Sequence, residues 1–66
     1  MDKVEITNWI RKFKERKKLS DHRVSVEMGC IVSANTINKL LSCDKYISDK
    51  SFEKIGKWIE NYEQVV

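Results

Sequence analysis

The chain has 66 residues, 41 % of them hydrophobic and 35 % charged, and 13 Lys and Arg against 10 Asp and Glu leave a net charge of +3. So short a chain buries only about 60 % of its unfolded surface, which leaves room for one domain, 1–66, and argues against an enzyme that needs a pocket beside its core. The composition is too apolar for a disordered tail, the apolar runs are too short for a membrane span or signal peptide, and two cysteines are too few for a secreted disulfide scaffold, so a cytosolic protein with no membrane contact is expected.

Proline is absent and glycine occurs twice, a composition that suits packed helices. Four segments carry helical periodicity, and none alternates as a strand does. The first runs from about Val4 to Lys17, with Ile6, Trp9, Ile10 and Phe13 on one apolar stripe. Trp9 lies at the edge of that stripe, where it caps the core. The second helix begins at Ser20, a good N-cap, carries Val24 and Met28 on one face, and stops at Gly29. Cys30 is expected as a buried turn residue. The third opens at Ser33 and runs to Leu41, with Ile37, Leu40 and Leu41 facing inward. Cys43 is expected in the following loop as a free thiol. The fourth opens at Ser48, with Asp49 in its first turn, where the helix dipole favours an acid. Phe52, Ile55, Ile59 and Tyr62 then share a face to near Glu63, and Trp58 sits beside them. The expected fold class is all-α, a compact domain of four helices or of four to five.

Residues advance about 100° per step around a helix. On the third helix this places Asn35, Asn38, Lys39 and Ser42 opposite the apolar side, with no carboxylate among them. Asn can bond adenine N6 and N7, and Lys can bond guanine O6 and N7, so the face suits the major groove of DNA. An ordinary solvent-facing helix carries the same residue types.

The ordered set narrows the choice. Leu19-Ser20, Val24, Gly29, then Val32-Ser33 with Thr36-Ile37 make a helix-turn-helix pattern over about 20–42. The chain resembles the lambda-repressor-like family, the Cro, cI and XRE-type DNA-binding domains. Ile10-Arg11-Lys12-Phe13-Lys14-Glu15 is similar to that family's first-helix signature. Ser48 to Ile59 is similar to its Ser-x-x-x-Leu-x-x-Ile-x-x-x-Leu fourth helix. The stretch Ser33 to Ser42, with Tyr46-Ile47-Ser48, is also similar to the headpiece of LacI-type repressors, but the long helix before Ser20 favours the lambda-like family. The resemblance covers about residues 6 to 60.

That resemblance implies a sequence-specific regulator of double-stranded DNA, of the small Cro-like phage or mobile-element kind. It implies base contacts from Ala34, Asn35, Asn38 and Lys39. Backbone contacts are implied for Lys17, Lys18, Ser20, His22, Arg23, Ser33, Thr36, Ser42, Lys45 and Tyr46. The chain also departs from the family. Cys30-Ile31-Val32 adds two residues before the usual Val-Ser, so either the turn is longer or the second helix ends later. Ser25 stands where the family has Ala, a small-for-small change. At His22 and Arg23 the family usually has Gln or Glu able to pair with a base at the Lys14 position, and losing that acid leaves the patch more basic. The family's fifth helix is missing or reduced to the Tyr62–Val66 end.

Arg11, Lys12, Lys14, Arg16, Lys17 and Lys18 crowd eight positions that hold one acid, Glu15. Such a run is either a solvated helix face or a phosphate-binding end that gains from counterion release. Phosphate contacts would position the protein without specifying sequence. His22, Cys30 and Cys43 match no zinc spacing, and one histidine makes no Ser–His–Asp arrangement, so no metal, cofactor or small-molecule ligand is expected. One small domain reads few base pairs, so two copies on an inverted-repeat operator are expected. Trp58, Tyr62, Val65 and Val66 would form the homodimer seam, unless Trp58 merely covers the core edge. Two other classes fit the same pattern: a protein-binding antirepressor or inhibitor on a helix-turn-helix body, and a non-specific architectural DNA binder.

Overall fold

The computed structural model describes residues 2–42 and 47–65, the side chains of 64 and 65 excepted. Its helices are α1 (Lys3–Lys17), α2 (Asp21–Glu27), α3 (Ala34–Leu41) and α4 (Asp49–Val65). Among the described residues there is no strand. The fold is all-α.

Each helix begins where a short polar side chain bonds an amide that would otherwise lack a partner. Asp2 accepts from the Glu5 N–H at 2.8 Å, and Ser20 from the Arg23 N–H at 3.2 Å. Ser33 accepts from Thr36 at 3.2 Å and Ser48 from Ser51 at 3.3 Å. The three serines are the starts that the sequence predicts. Asp2 moves the start of α1 one residue earlier, to Lys3.

The C-terminal ends of α1 and α2 are closed by left-handed residues. Lys18, at φ 53°, lets its own N–H reach Glu15 O and the Leu19 N–H reach Lys14 O at 3.0 Å. Gly29, at φ 72°, does the same for α2, with Cys30 N–H on Ser25 O at 2.9 Å. Helix α2 ends at Glu27, so the added residues lengthen the turn instead of the helix. Ser25 stitches that turn: its buried hydroxyl donates to Val32 O at 2.6 Å, a bond alanine could not make. Cys30 departs from expectation, because it is exposed. A second left-handed residue follows Gly29, with Cys30 at φ 59°, and Met28 and Val32 take the buried positions of the turn instead.

Among the described residues, ten apolar side chains form the core: Ile6, Ile10 and Phe13 of α1, Val24 of α2, Met28 and Val32 of the turn, Ile37 and Leu40 of α3, and Ile55 and Ile59 of α4. Leu41, expected inward, is half-buried against this cluster. Helix α1 packs on both α3 and α4, while α2 packs chiefly on α3. Gly56 of α4 faces Ile6 of α1, where a Cβ would lie at ordinary van der Waals distance, 3.5 Å, from Ile6 Cδ1. Trp9, Phe13, Trp58 and Tyr62 close the other end of that contact. Trp9 meets Trp58 edge-to-face at a centroid distance of 5.6 Å and stacks on Phe13 at 5.3 Å. The Trp9 Nε1–H also donates to Glu63 Oε1 at 2.8 Å. The stretch from Tyr62 to Val65 continues α4 and forms no separate fifth helix. Among the described residues, no helix is long and apolar enough to cross a membrane.

Candidate nucleic-acid interface

Helix α3 is built with two chemically distinct sides. Ile37 and Leu40, one turn apart, are buried, and they fix the rotation of the helix. Asn35, Asn38, Lys39 and Ser42 are consequently exposed, and Ala34 and Thr36 are half-buried at the border. The Ser33 and Thr36 hydroxyls lie 3.1 Å apart in the N-terminal cap. Ser42 closes the other end, its N–H bonding Asn38 O at 3.0 Å. Arg11 of α1 reaches across and donates from Nη2 to Leu41 O at 3.1 Å. A cation on a helix C-terminus is favourable, and this one ties α3 to α1.

At the middle of α3 the structure shows an arrangement that the sequence reading missed. Asp21, the first residue of α2, accepts from Lys14 Nζ at 2.6 Å through Oδ1 and from Asn38 Nδ2 at 3.1 Å through Oδ2. The acid thought missing at His22 and Arg23 is therefore present one residue earlier. The signal was an Asp directly after the Ser20 N-cap, where the helix dipole favours an acid. The Lys14 hydrogen bond, then that of Asn38, holds the Asp21 carboxyl below its ordinary range, and the Lys14 charge adds to this against the opposing effect of desolvation.

The basic run divides between two faces. Arg11, Lys14 and Lys18 border a hollow with Glu15, Leu19 and Leu41, on the side of α1 that meets α2 and α3. Lys12, Arg16 and Lys17 border the rings of Trp9, Phe13 and Tyr62. The Lys17 ammonium lies 5.4 Å from the Phe13 centroid and 5.9 Å from that of Tyr62. Lys18, exposed beside the start of α2, shares the α3 side, while Lys17 is drawn to the aromatic side. Ser20, His22 and Arg23 are exposed on the first turn of α2, with Arg23 Nε 3.6 Å from Glu27 Oε1. The residues Cys43, Lys45, Tyr46 and Val66, and the side chain of Val65, lie outside the described residues. Trp58 and Tyr62 are half-buried in the ring cluster. Among the described residues, no three His, Cys, Asp or Glu side chains gather as metal ligands would.

In comparisons with protein-family models, curated proteins and solved structures, nothing matches this chain. What the site can do therefore rests on its own chemistry. It presents amides, a hydroxyl and an amine on a helix anchored at both ends, with cations alongside.

Proposed function

We propose that this chain is a sequence-specific double-stranded DNA-binding regulator whose α3 reads the major groove. The observation that carries the reading is the exposed row of Asn35, Asn38, Lys39 and Ser42, to which α3 contributes no carboxylate of its own, on a helix held from beneath by Ile37 and Leu40. Asn and Lys match the donor and acceptor patterns of base edges in the groove. Lys18, beside Leu41 of α3, and the exposed His22 and Arg23 on the first turn of α2 suit phosphates. Regulation would follow from occupying a promoter, as in the small Cro-like repressors that the sequence resembles, acting in the cytoplasm on the nucleoid.

Two copies on an inverted repeat belong to this proposal, because one domain of this size covers too few base pairs to select a genomic site. Trp58 and Tyr62 keep part of their surface outside the ring cluster for such a seam. Selection of bound duplexes from a random pool tests both halves together. A shared motif with two-fold symmetry is the expected result. Equal retention of every duplex would instead favour an architectural binder, and retention of none would remove DNA from the reading.

A further inference from the structure

Asp21 touches all the elements that would frame a base contact. It belongs to α2, its Oδ1 is paired to Lys14 of α1, and its Oδ2 accepts from Asn38 of α3. An ionised carboxylate only accepts hydrogen bonds, whereas an amide has a donating and an accepting end. The end of Asn38 that faces Asp21 must therefore be the nitrogen, since the reverse would set two acceptor oxygens about 3 Å apart with no proton between them. Lys14 holds the carboxylate in place, so the orientation of the Asn38 amide is set by its neighbours before any ligand arrives.

We infer that Asp21 is a positioning residue that determines specificity: by accepting the Asn38 amide N–H it leaves the Asn38 carbonyl oxygen to face a base pair. The inference rests on the major-groove reading of α3. An outward carbonyl accepts from an exocyclic amine, which adenine carries at N6 and cytosine at N4. It meets only acceptors on guanine O6 and N7 and on thymine O4. Asp21 takes one of the two Asn38 N–H groups, and the other can donate to N7 of either purine, so the carbonyl makes the choice: at the base that Asn38 touches, one strand should carry A or C in preference to G or T. An asparagine free to turn over would serve either class.

The isosteric variant Asp21→Asn gives the test its sign. Lys14 donates to one oxygen of residue 21, and a neutral amide there keeps its carbonyl toward Lys14. Its amide nitrogen then faces Asn38, whose own amide must turn over and present its nitrogen outward. The selected base should change from A or C to G or T at that position alone.

The experiment is selection from a random duplex pool with the wild type, Asp21→Asn, Asn38→Ala and Lys14→Met. Asn38→Ala identifies the base pair concerned by losing its preference there. The wild type should favour A or C at that pair by about fivefold or more. Asp21→Asn should invert or abolish that preference and leave the other positions unchanged. Lys14→Met breaks the ion pair but keeps the Asp21–Asn38 bond, so it should retain the wild-type preference. Should Asp21→Asn not fold, the spectrum of the free wild type serves instead, where one Asn38 side-chain amide proton should be shifted by its bond to the carboxylate. The inference is overturned by an unshifted proton, by Asp21→Asn selecting the wild-type base, or by its weakening every position equally. A wild type that prefers G or T at the Asn38 position overturns the inference and leaves the DNA reading standing. A wild type that selects no motif overturns both.

Discussion

Asp21 carries a pH dependence whose sign follows from its partners. Hydrogen bonds from Lys14 and Asn38 hold its folded-state pKa below the ordinary value of 3.8. The folded chain therefore binds fewer protons at this site than the unfolded chain across the interval between the two values. The resulting stability is fully present above the unfolded value and is lost as pH falls through the folded one. Denaturant titrations of wild type and Asp21→Asn should thus differ at neutral pH and converge in acid. An equal difference at both pH values would show that the ion pair contributes nothing. Cys30 makes a second prediction at this scale. It holds φ 59° without a glycine's freedom, a conformation that costs an ordinary residue about 1 kcal/mol. Cys30→Gly should raise stability by up to about 1 kcal/mol in chemical denaturation. A loss of stability would mean that the exposed thiol makes a contact worth more than the backbone strain.

At the scale of the helices, α1 acts as a frame that sends its cations in two directions. Lys18 emerges beside α2 and α3, and Lys17 is held over the rings of Phe13 and Tyr62. If DNA lies along α3, Lys18→Ala should weaken all duplexes similarly and lower the salt slope of binding by about one. Lys17→Ala should leave that slope unchanged and instead cost a modest amount of stability through the lost cation–ring contacts. Binding measured across a salt series separates the two. Equal slopes for both variants would place the phosphates elsewhere. The residue types of the basic run are plain in the sequence, but their division is not. Successive residues on α1 point about 100° apart, and which direction shares the α3 side depends on where α2 and α3 are packed.

For the molecule as a whole, the ring cluster changes what Trp58 can report. Its indole packs edge-to-face on Trp9 and Phe13, with centroids 5.6 Å away in each case. Trp58→Ala should therefore destabilise the monomer by about 3 kcal/mol. A domain of this size has only about 3–10 kcal/mol in total. Thermal unfolding of a dilute sample checks this, because a tryptophan that served only a seam between copies would leave the monomer's melting temperature unchanged. A charge placed at position 58 would disturb the fold before it tested any dimer. The two-copy arrangement is better examined by titrating the intact protein onto one and two half-sites with centres about 34 Å apart.

What the sequence determined by itself is whatever local rules govern. Serines at 20, 33 and 48 start helices because a hydroxyl reaches its own third amide whatever the rest of the chain does. Gly29 ends α2 because the left-handed conformation is easy without a Cβ. The buried Ile37 and Leu40 and the exposed Asn35, Asn38 and Lys39 follow from periodicity alone. Tertiary structure decided what depends on two helices at once. Asn38 and Asp21 are 17 residues apart in sequence, and Trp9 and Glu63 are 54 apart. No local rule links either pair. The exposure of Cys30 and the bond from Ser25 to Val32 likewise depend on how the longer turn is folded back against α2. Periodicity says which face of a helix points inward, but the partner waiting there is set by how the helices pack, and that packing is a property of the whole core.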